Sequence, residues 1–477
     1  MPELAALLHC LSMRLPIPCT LRFGLSALLC AAPVLAQAQS LLDMVENATG
    51  YDAQWRAVQA EKEAAERRSE QARAPLLPQV GVGADLSRAQ TRVHPQGLQH
   101  TGTTHSVALI ASQSLYRPAD KLQLAQSKLA VESAQYALNA AAQDLIVRVS
   151  QAYFDVLAAQ DTLAFVQAQK AAVNEQLAAA ERNFEVGNAT ITDTREAQAR
   201  FDLIRAQEIA SANDLQVKKL ALDQTVGLIQ SQPWPLKLPA ALPHPASDNV
   251  LDWVSWAQEQ QPQVRQAKLA LDIAKLETDK AETGHLPTVS LNARVGQTNN
   301  RDGTISSPIP GMRSREASVG VELNMPLFAG GAVQNRIRET LALEEKARAQ
   351  LDQVNRGATQ ATREAFYGLQ SGQSQVKALE AAEASSQSAL EANQLGYQVG
   401  VRINIDVLNA QSQLFQTRRD LAQARYTVLM SHLRLAQASG TLGMDEVRTI
   451  NALLAPQGAT LANTTSVADA PVVSSAP

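Results

Sequence analysis

The chain has 477 residues, with 42 Lys and Arg against 46 Asp and Glu, a formal net charge of −4 and only 18% charged residues. That balance argues against a nucleic-acid binder, which needs a basic face. Aromatic content of 4%, beside abundant Ala, Gln and Leu, favours long and closely packed helices.

In chain order, Arg14 and Arg22 supply a basic region, residues 23–35 an apolar one and Ala36-Gln37-Ala38 a small-x-small cleavage site, so residues 1–38 read as an export signal. Met13 is an alternative start. All three cysteines, Cys10, Cys19 and Cys30, fall inside this segment. The mature chain then carries no thiol, which suits an oxidising compartment where a stray cysteine would form wrong crosslinks. In the minor reading Cys30 is a lipid-attachment residue, but Ala27-Leu28-Leu29 lacks the small residue such a site has before its cysteine.

Residues 41–73 have the pattern of an amphipathic helix. Next, Val80, Val82, Ala84 and Leu86 alternate with Gly81, Gly83 and Asp85, and Val107, Leu109, Ala111 and Leu115 repeat the period of two expected of strands. A polar loop is expected between them over 91–104. From Lys121 to Phe184 neither Pro nor Gly interrupts the chain. Leu138, Leu145, Ala152, Ala159, Val166, Val173 and Ala180 form one heptad seam; Ala142, Val149, Val156, Leu163, Leu177 and Phe184 form its neighbour, with Lys170 intruding. Such spacing specifies a coiled coil, and some 65 residues make a rod on the order of 100 Å long. A second rod is expected from Gly187 to about Val226.

Pro233, Pro235, Pro239, Pro243 and Pro245 stiffen a linker over 228–248 that is neither helix nor central strand. Beyond it the plan recurs. Residues 250–282 mirror 41–73, and Val289, Leu291, Ala293 and Val295 form a strand. A loop is expected over 299–313, then a strand through Ala317, Val319, Val321, Leu323, Met325 and Leu327. A third rod ends before Gly396, its seam through Leu351, Ala358, Ala365, Gly372 and Leu379 weak enough to face water on more than one side. A fourth begins after Arg402, where Val407, Leu414, Leu421, Val428, Leu435 and Leu442 alternate with small residues that let helix axes approach closely. Residues 456–477, rich in Ala, Thr, Ser and Val, read as disordered.

The second half is a copy of the first. Phe184-Glu-Val-Gly-Asn-Ala-Thr-Ile-Thr-Asp193 returns as Tyr397-Gln-Val-Gly-Val-Arg-Ile-Asn-Ile-Asp406, with Gly187 on Gly400, Asp193 on Asp406 and Gln198 on Gln411, all 213 positions apart. Leu77-Pro78 and Leu286-Pro287 keep an offset of 209. The domain plan is therefore a repeat over 39–227, the linker over 228–248, a second repeat over 249–445 and a C-terminal segment over 446–477.

No apolar run after the signal approaches the about 20 residues of a membrane helix, so any membrane crossing is made by strands. Strands apolar on one face and polar on the other fit a barrel wall with lipid outside and water inside. Four strands cannot close a barrel, so identical chains must pair its edges, and a trimer supplies twelve.

Competing chemical readings are weak. His94, His100 and His105 share a predicted loop without ligand spacing or accompanying acids, so no metal is expected. Gly81-Val-Gly83 is no dinucleotide fingerprint. No catalytic constellation stands out, so neither enzyme nor cofactor is expected. A periplasmic coiled-coil adaptor remains the alternative, although it needs no duplicated strand pairs with one apolar face.

The duplicated strand-strand-helix-helix plan, the Leu-Pro before each first strand, Leu115-Tyr116 and Leu327-Phe328 at the strand-to-helix junctions and the Val-Gly...Asp...Ala-Gln motif resemble the TolC family of outer-membrane channel-tunnels over residues 41–445. The resemblance implies an α+β fold: a homotrimeric twelve-stranded transmembrane β-barrel, four strands per chain, continued by a long periplasmic coiled-coil tunnel. It implies a passive conduit for efflux or type I secretion, working with a periplasmic adaptor and an inner-membrane ATP-binding cassette exporter or proton-driven pump. Carried over by motif, a periplasmic gate comprises Thr192, Asp193, Tyr397, Arg402 and Asp406, with an Asp193 to Arg402 contact weak enough to break reversibly. Asp406 forms a cation-binding ring at the entrance. Gly187 and Gly400 are loop formers. Asn409 departs from relatives that place a second aspartate there. Set against the gate, Asp193 and Asp406 both begin helices and have a simpler reading as helix caps.

Overall fold

The computed structural model describes residues 39–455 apart from 96, 188, 238, 240, 241, 304 and 306–308. The export signal and the tail over 456–477 lie outside the described residues. The first half contains α1 (Leu41–Tyr51), α2 (Ala53–Arg73), β1 (Gln79–Val93), β2 (Leu98–Tyr116), α3 (Pro118–Glu185) and α4 (Ile191–Val226). The second contains α5 (Val250–Gln260), α6 (Pro262–Glu282), β3 (Thr288–Asn300), β4 (Met312–Asn324), α7 (Ala332–Gln398) and α8 (Asn404–Ser439), and α9 (Met444–Asn451) closes the described chain. The duplication is exact in the short elements, since α1 and α5 each have 11 residues, α2 and α6 21, and α4 and α8 36. It is near-exact in the rods, at 68 residues for α3 and 67 for α7.

Both expected amphipathic helices are broken, at equivalent positions. Asp52 leaves helical geometry at ψ 121° and accepts from the Trp55 amide at 2.6 Å, capping α2. Its counterpart Gln261, 209 residues on, sits at ψ 123°, caps α6 through the Val264 amide at 2.9 Å, and precedes Pro262, which bars the preceding residue from helix. The strands overrun the first expected loop, because the ladder continues to Val93 opposite Leu98. The expected strand through Met325 and Leu327 stops at Asn324, and Leu327 and Phe328 lie 90% and 89% exposed in the connection to α7. The third rod does not end before Gly396 but runs to Gln398. Helix α9 carries the 445 boundary inside it; with only Val447 and Ile450 buried, it is too short to show a period.

The heptad seams are the core of the rods. Leu145, Val149, Val156, Val166, Val173 and Ala180 on α3 and Val407, Leu414, Leu421, Val428 and Leu435 on α8 are all 2% exposed or less. Lys170, the intruder, reaches Glu208 on α4 at 2.6 Å, so its charge ends on a carboxylate at the edge of the seam. On α7 only Ala358 of the five seam residues is buried, in keeping with a rod that faces water more widely. The two hairpins meet through α3 and α8, where Tyr426 donates to Asp161 at 2.6 Å. The linker lies along the base of this core: Tyr153 donates to the Trp234 carbonyl at 2.9 Å, and isolated bridges join Pro233 to Gln39 and Leu236 to Leu454.

The four strands form one antiparallel sheet in the order β1-β2-β3-β4, so the two halves are joined across β2 and β3. Register decides what each face carries. One face holds the rows Val80-Ala111-Ala293-Val319 and Val82-Leu109-Val295-Ala317. The other holds Gly81-Ile110-Arg294-Ser318 and Gly83-Ala108-Gly296-Glu316. Val82, Leu109, Val295, Val319, Val321 and Leu323 stand at least half exposed, an apolar face that is uncovered among the described residues. Among the described residues no helix is long and apolar enough to cross a membrane.

The kink cap carries a pH dependence. Arg148 on α3 donates to Asp52 at 3.0 Å, and this bond, aided by the cap amide and opposed by burial, holds the Asp52 carboxyl below the usual carboxylate range. A depressed folded value means stability that is present above the ordinary carboxylate pKa and is lost as pH falls through the lowered one. Asp52→Asn is expected to lower thermal stability at neutral pH, with the gap from wild type closing as both are acidified below pH about 4. Parallel melting curves against pH check this, and a gap independent of pH would refute it.

Candidate functional site

At the far end of the rods each hairpin turns in a short loop. Gly187 and Gly400 adopt φ +81° and +77° there, the left-handed region where a side chain is strained. Nothing lies within 4 Å of a Cβ built on either, so backbone conformation alone demands glycine.

The two tips differ where the duplication has diverged. At the first, Thr190 caps α4: its hydroxyl accepts from the Asp193 amide at 3.3 Å, and the Asp193 carboxylate accepts from the Thr190 amide at 2.9 Å and its hydroxyl at 2.7 Å. Thr192 is exposed beside them, its hydroxyl 2.5 Å from that of Thr190. Asp193 is thus the acid of a capping box whose N-cap is Thr190. At the second tip the residue equivalent to Thr190 is Ile403, and α8 has no side-chain cap. Asp406 is left free of the capping duty and lies 3.5 Å from Arg402, one turn earlier.

The expected Asp193 to Arg402 pair is therefore not made within the chain. Each group takes a partner on its own tip, because Thr190 offers Asp193 a local cap and Asp406 lies within reach of Arg402 along α8. Tyr397 does join the two hairpins, since its hydroxyl accepts from Asn183 Nδ2 of α3 at 3.1 Å while its side chain packs against the small core cluster of Leu390, Val407 and Leu414.

Three contacts escaped the sequence reading. Asn183 is the first. Gly396 is the second: a Cβ there would lie 2.7 Å from Arg402 Cγ, so its missing side chain makes room for Arg402 across the end of α7. The signal was present, because Asn183 and Gly396 are equivalent positions in the duplicated motif. The third is polar contact from the first hairpin to α8, where Gln176 donates to Asn404 and Arg200 donates to Asn409 at 3.0 Å. Asn409, the departure from an acidic pattern, is here an acceptor for a cation of the other hairpin. His100 and His105 lie on β2 rather than in a loop, and His100 Nε2 is 2.9 Å from the Gly303 carbonyl oxygen.

A family model described as outer membrane efflux protein matches residues 45–228 and 253–441. The gap between the matched segments is the proline-rich linker. The chain is 30% identical over 426 residues to outer membrane protein TolC of Escherichia coli (strain K12), spanning 87% of this chain and 85% of that one. It is 31% identical over 449 residues to the proteases secretion protein PrtF of Dickeya chrysanthemi, spanning 91% and 94%. Its fold resembles the solved outer membrane protein VceC of Vibrio cholerae, with a TM-score of 0.72 and 18% identity over 84% of this chain and 96% of that one. The adaptor alternative falls on the same ground, since the match covers both repeats including their strands. With an apolar-faced four-stranded sheet continued by duplicated coiled-coil hairpins, the chain belongs to the outer membrane efflux protein family and is an outer membrane channel whose helical tunnel extends into the periplasm.

Proposed function

We propose that three copies of the chain share one barrel and one tunnel, and that the tunnel is closed and opened at its helical tips. The observation that carries this reading is the open sheet, with β1 and β4 forming its outer edges among the described residues, together with apolar side chains left bare on the rods. Leu203, Val217 and Leu220 on α4 and Leu341, Leu343 and Tyr367 on α7 are each more than two-fifths exposed. Side-by-side copies cover both kinds of surface at once.

The conduit is passive, and its energy comes from an inner-membrane transporter, either an ATP-binding cassette exporter or a proton-driven pump. A periplasmic adaptor joins the two. Its landing place is the tips, where Val186, Val399, Val401 and Ile403 stand more than 60% exposed. Cargo is selected by the pump and adaptor rather than by the tunnel.

Closure is assigned to Thr192, Asp193, Tyr397, Arg402 and Asp406, with the work divided unequally. Thr192 and Asp193 fix the first tip, Tyr397 holds the second against it through Asn183, and Arg402 rests on its own tip beside Asp406, available to a neighbouring copy. The Arg402 to Asp406 contact joins an exposed guanidinium to a partly buried carboxylate within one tip and is worth less than about 1 kcal/mol, so Arg402 leaves it at little cost. Threefold symmetry gathers three copies of Asp406 about the axis, where one acidic ring favours a bound cation.

Arg402→Ser combined with Tyr397→Phe is expected to raise single-channel conductance in planar bilayers several-fold. Asp193→Ala is expected to leave conductance near wild type while costing about 1 kcal/mol of helix stability through the lost cap. Unchanged conductance in the double variant would reject the gate assignment.

A further inference from the structure

The outward face of the sheet changes character toward its loops. Above the apolar rows the same face carries the rows Ala84-Val107-Gln297-Arg315 and Leu86-His105-Asn299-Arg313, and further along β1, Arg88 opposite Thr103 and Arg92 opposite Gln99. The registers of β1 with β2 and of β3 with β4 run without a bulge, so alternation keeps Arg88, Arg92, Arg313 and Arg315 on the face that carries Val82 and Val319. All four are exposed.

The carboxylates are sorted the other way. Asp85, Glu316 and Glu322 occupy the inward face, where Glu322 accepts from Asn292 at 3.0 Å. Arg92 and Arg315 donate only to the neutral amides of Gln99 and Gln297, at 3.1 and 3.4 Å, and among the described residues none of the four makes an ion pair. The nearby loop acid Asp302 is held by the Thr103 amide at 2.9 Å. A surface needing only solubility would mix both signs on one face.

The four guanidinium groups stand above an apolar band, with Arg315, Arg313 and Arg88 in the first three same-face rows beyond Val82-Ala317, about 7–20 Å along the strands, and Arg92 two rows further. With the band in hydrocarbon, the phosphates of the loop-side leaflet fall within the span of these rows. Guanidinium forks match phosphate oxygens bidentately, as an ammonium does not. We propose that Arg88, Arg92, Arg313 and Arg315 form a docking rim for the phosphorylated headgroups of lipids in the loop-side leaflet, repeated around the barrel by each copy of the chain. The proposal rests on the barrel reading and adds the partner of its outer rim.

Purified trimer in non-ionic detergent is titrated with diphosphoryl lipid A, with phosphatidylcholine or with inorganic phosphate, and the temperature of trimer dissociation is followed. Lipid A is expected to raise it at low concentration, and phosphatidylcholine and inorganic phosphate are not. Arg88→Gln/Arg313→Gln/Arg315→Gln is expected to raise the half-saturating lipid A concentration by about fivefold per arginine removed, and the matching Lys variant by much less. Wild-type conductance of the Gln variant in neutral phosphatidylcholine bilayers separates this test from that of the barrel itself; if the triple variant does not assemble, Arg315→Gln alone decides. An unshifted lipid A response in the Gln variants, or equal protection by phosphatidylcholine or inorganic phosphate, would overturn the proposal.

Discussion

Gly440→Ala is expected to prevent the trimer from accumulating, whereas Gly227→Ala, at the equivalent position of the first repeat, is expected to leave a weakened but assembled protein. Both glycines end a rod in the left-handed region, at φ +80° and +76°, so alanine costs about 1–2 kcal/mol of backbone strain at either. The difference lies in what the new methyl meets. At 227 it falls 2.4 Å from the ring of Tyr51, a side chain that is 55% exposed and free to swing into solvent. At 440 it falls 2.5 Å from Gln261 Cα and 2.6 Å from Gln261 N, the backbone of the bend between α5 and α6.

That bend cannot yield cheaply, because Gln261 caps α6 and Pro262 fixes the chain direction behind it. Overpacking against fixed backbone adds roughly 1–3 kcal/mol or more, and each trimer bears it three times. Heat-dissociation of the trimer on gels, with surface abundance, reads out the comparison. Equal behaviour of the two alanine variants would show that the bend is softer than its geometry implies.

A second large effect follows from sheet parity. Val319→Arg places a charge on the apolar face, where it costs about 2–4 kcal/mol per chain near the bilayer middle. Ser318→Arg, one residue earlier, points to the polar face beside Arg294 and is expected to insert normally while changing ion selectivity. Insertion scored by heat-modifiability and selectivity scored by reversal potential distinguish them. Failure of both variants, or tolerance of both, would mean that the faces are misassigned.

Much of this architecture was legible in the chain because it rests on periodicities. Heptads wrote the rods, alternation wrote the strand faces, and the internal copy wrote the pairing of halves. What escaped was local chemistry with no period. The break at Gln261-Pro262 was visible as a proline, but its twin at Asp52 has none, and only its bonds to Trp55 and Arg148 reveal it. The short loop after β1 was hidden because the ladder runs on through polar residues such as Arg88, Gln90 and Arg92, which look like loop until their partners are seen. At the tips the resemblance grouped Tyr397, Arg402 and Asp406, while within one chain Asp193 is held by Thr190 and not by Arg402. A cap is decided by the residue three places earlier, and Thr190 against Ile403 is a difference that similarity between repeats conceals.

The unlike starts of α4 and α8 bear on how a ring of such hairpins moves. A bend clamped by its own threonine resists fraying, while one begun by isoleucine leaves its first amides without that clamp. Around the mouth stiff and pliant leaves alternate, and in the opening we propose dilation falls to every second one, as in an iris with half its blades pinned.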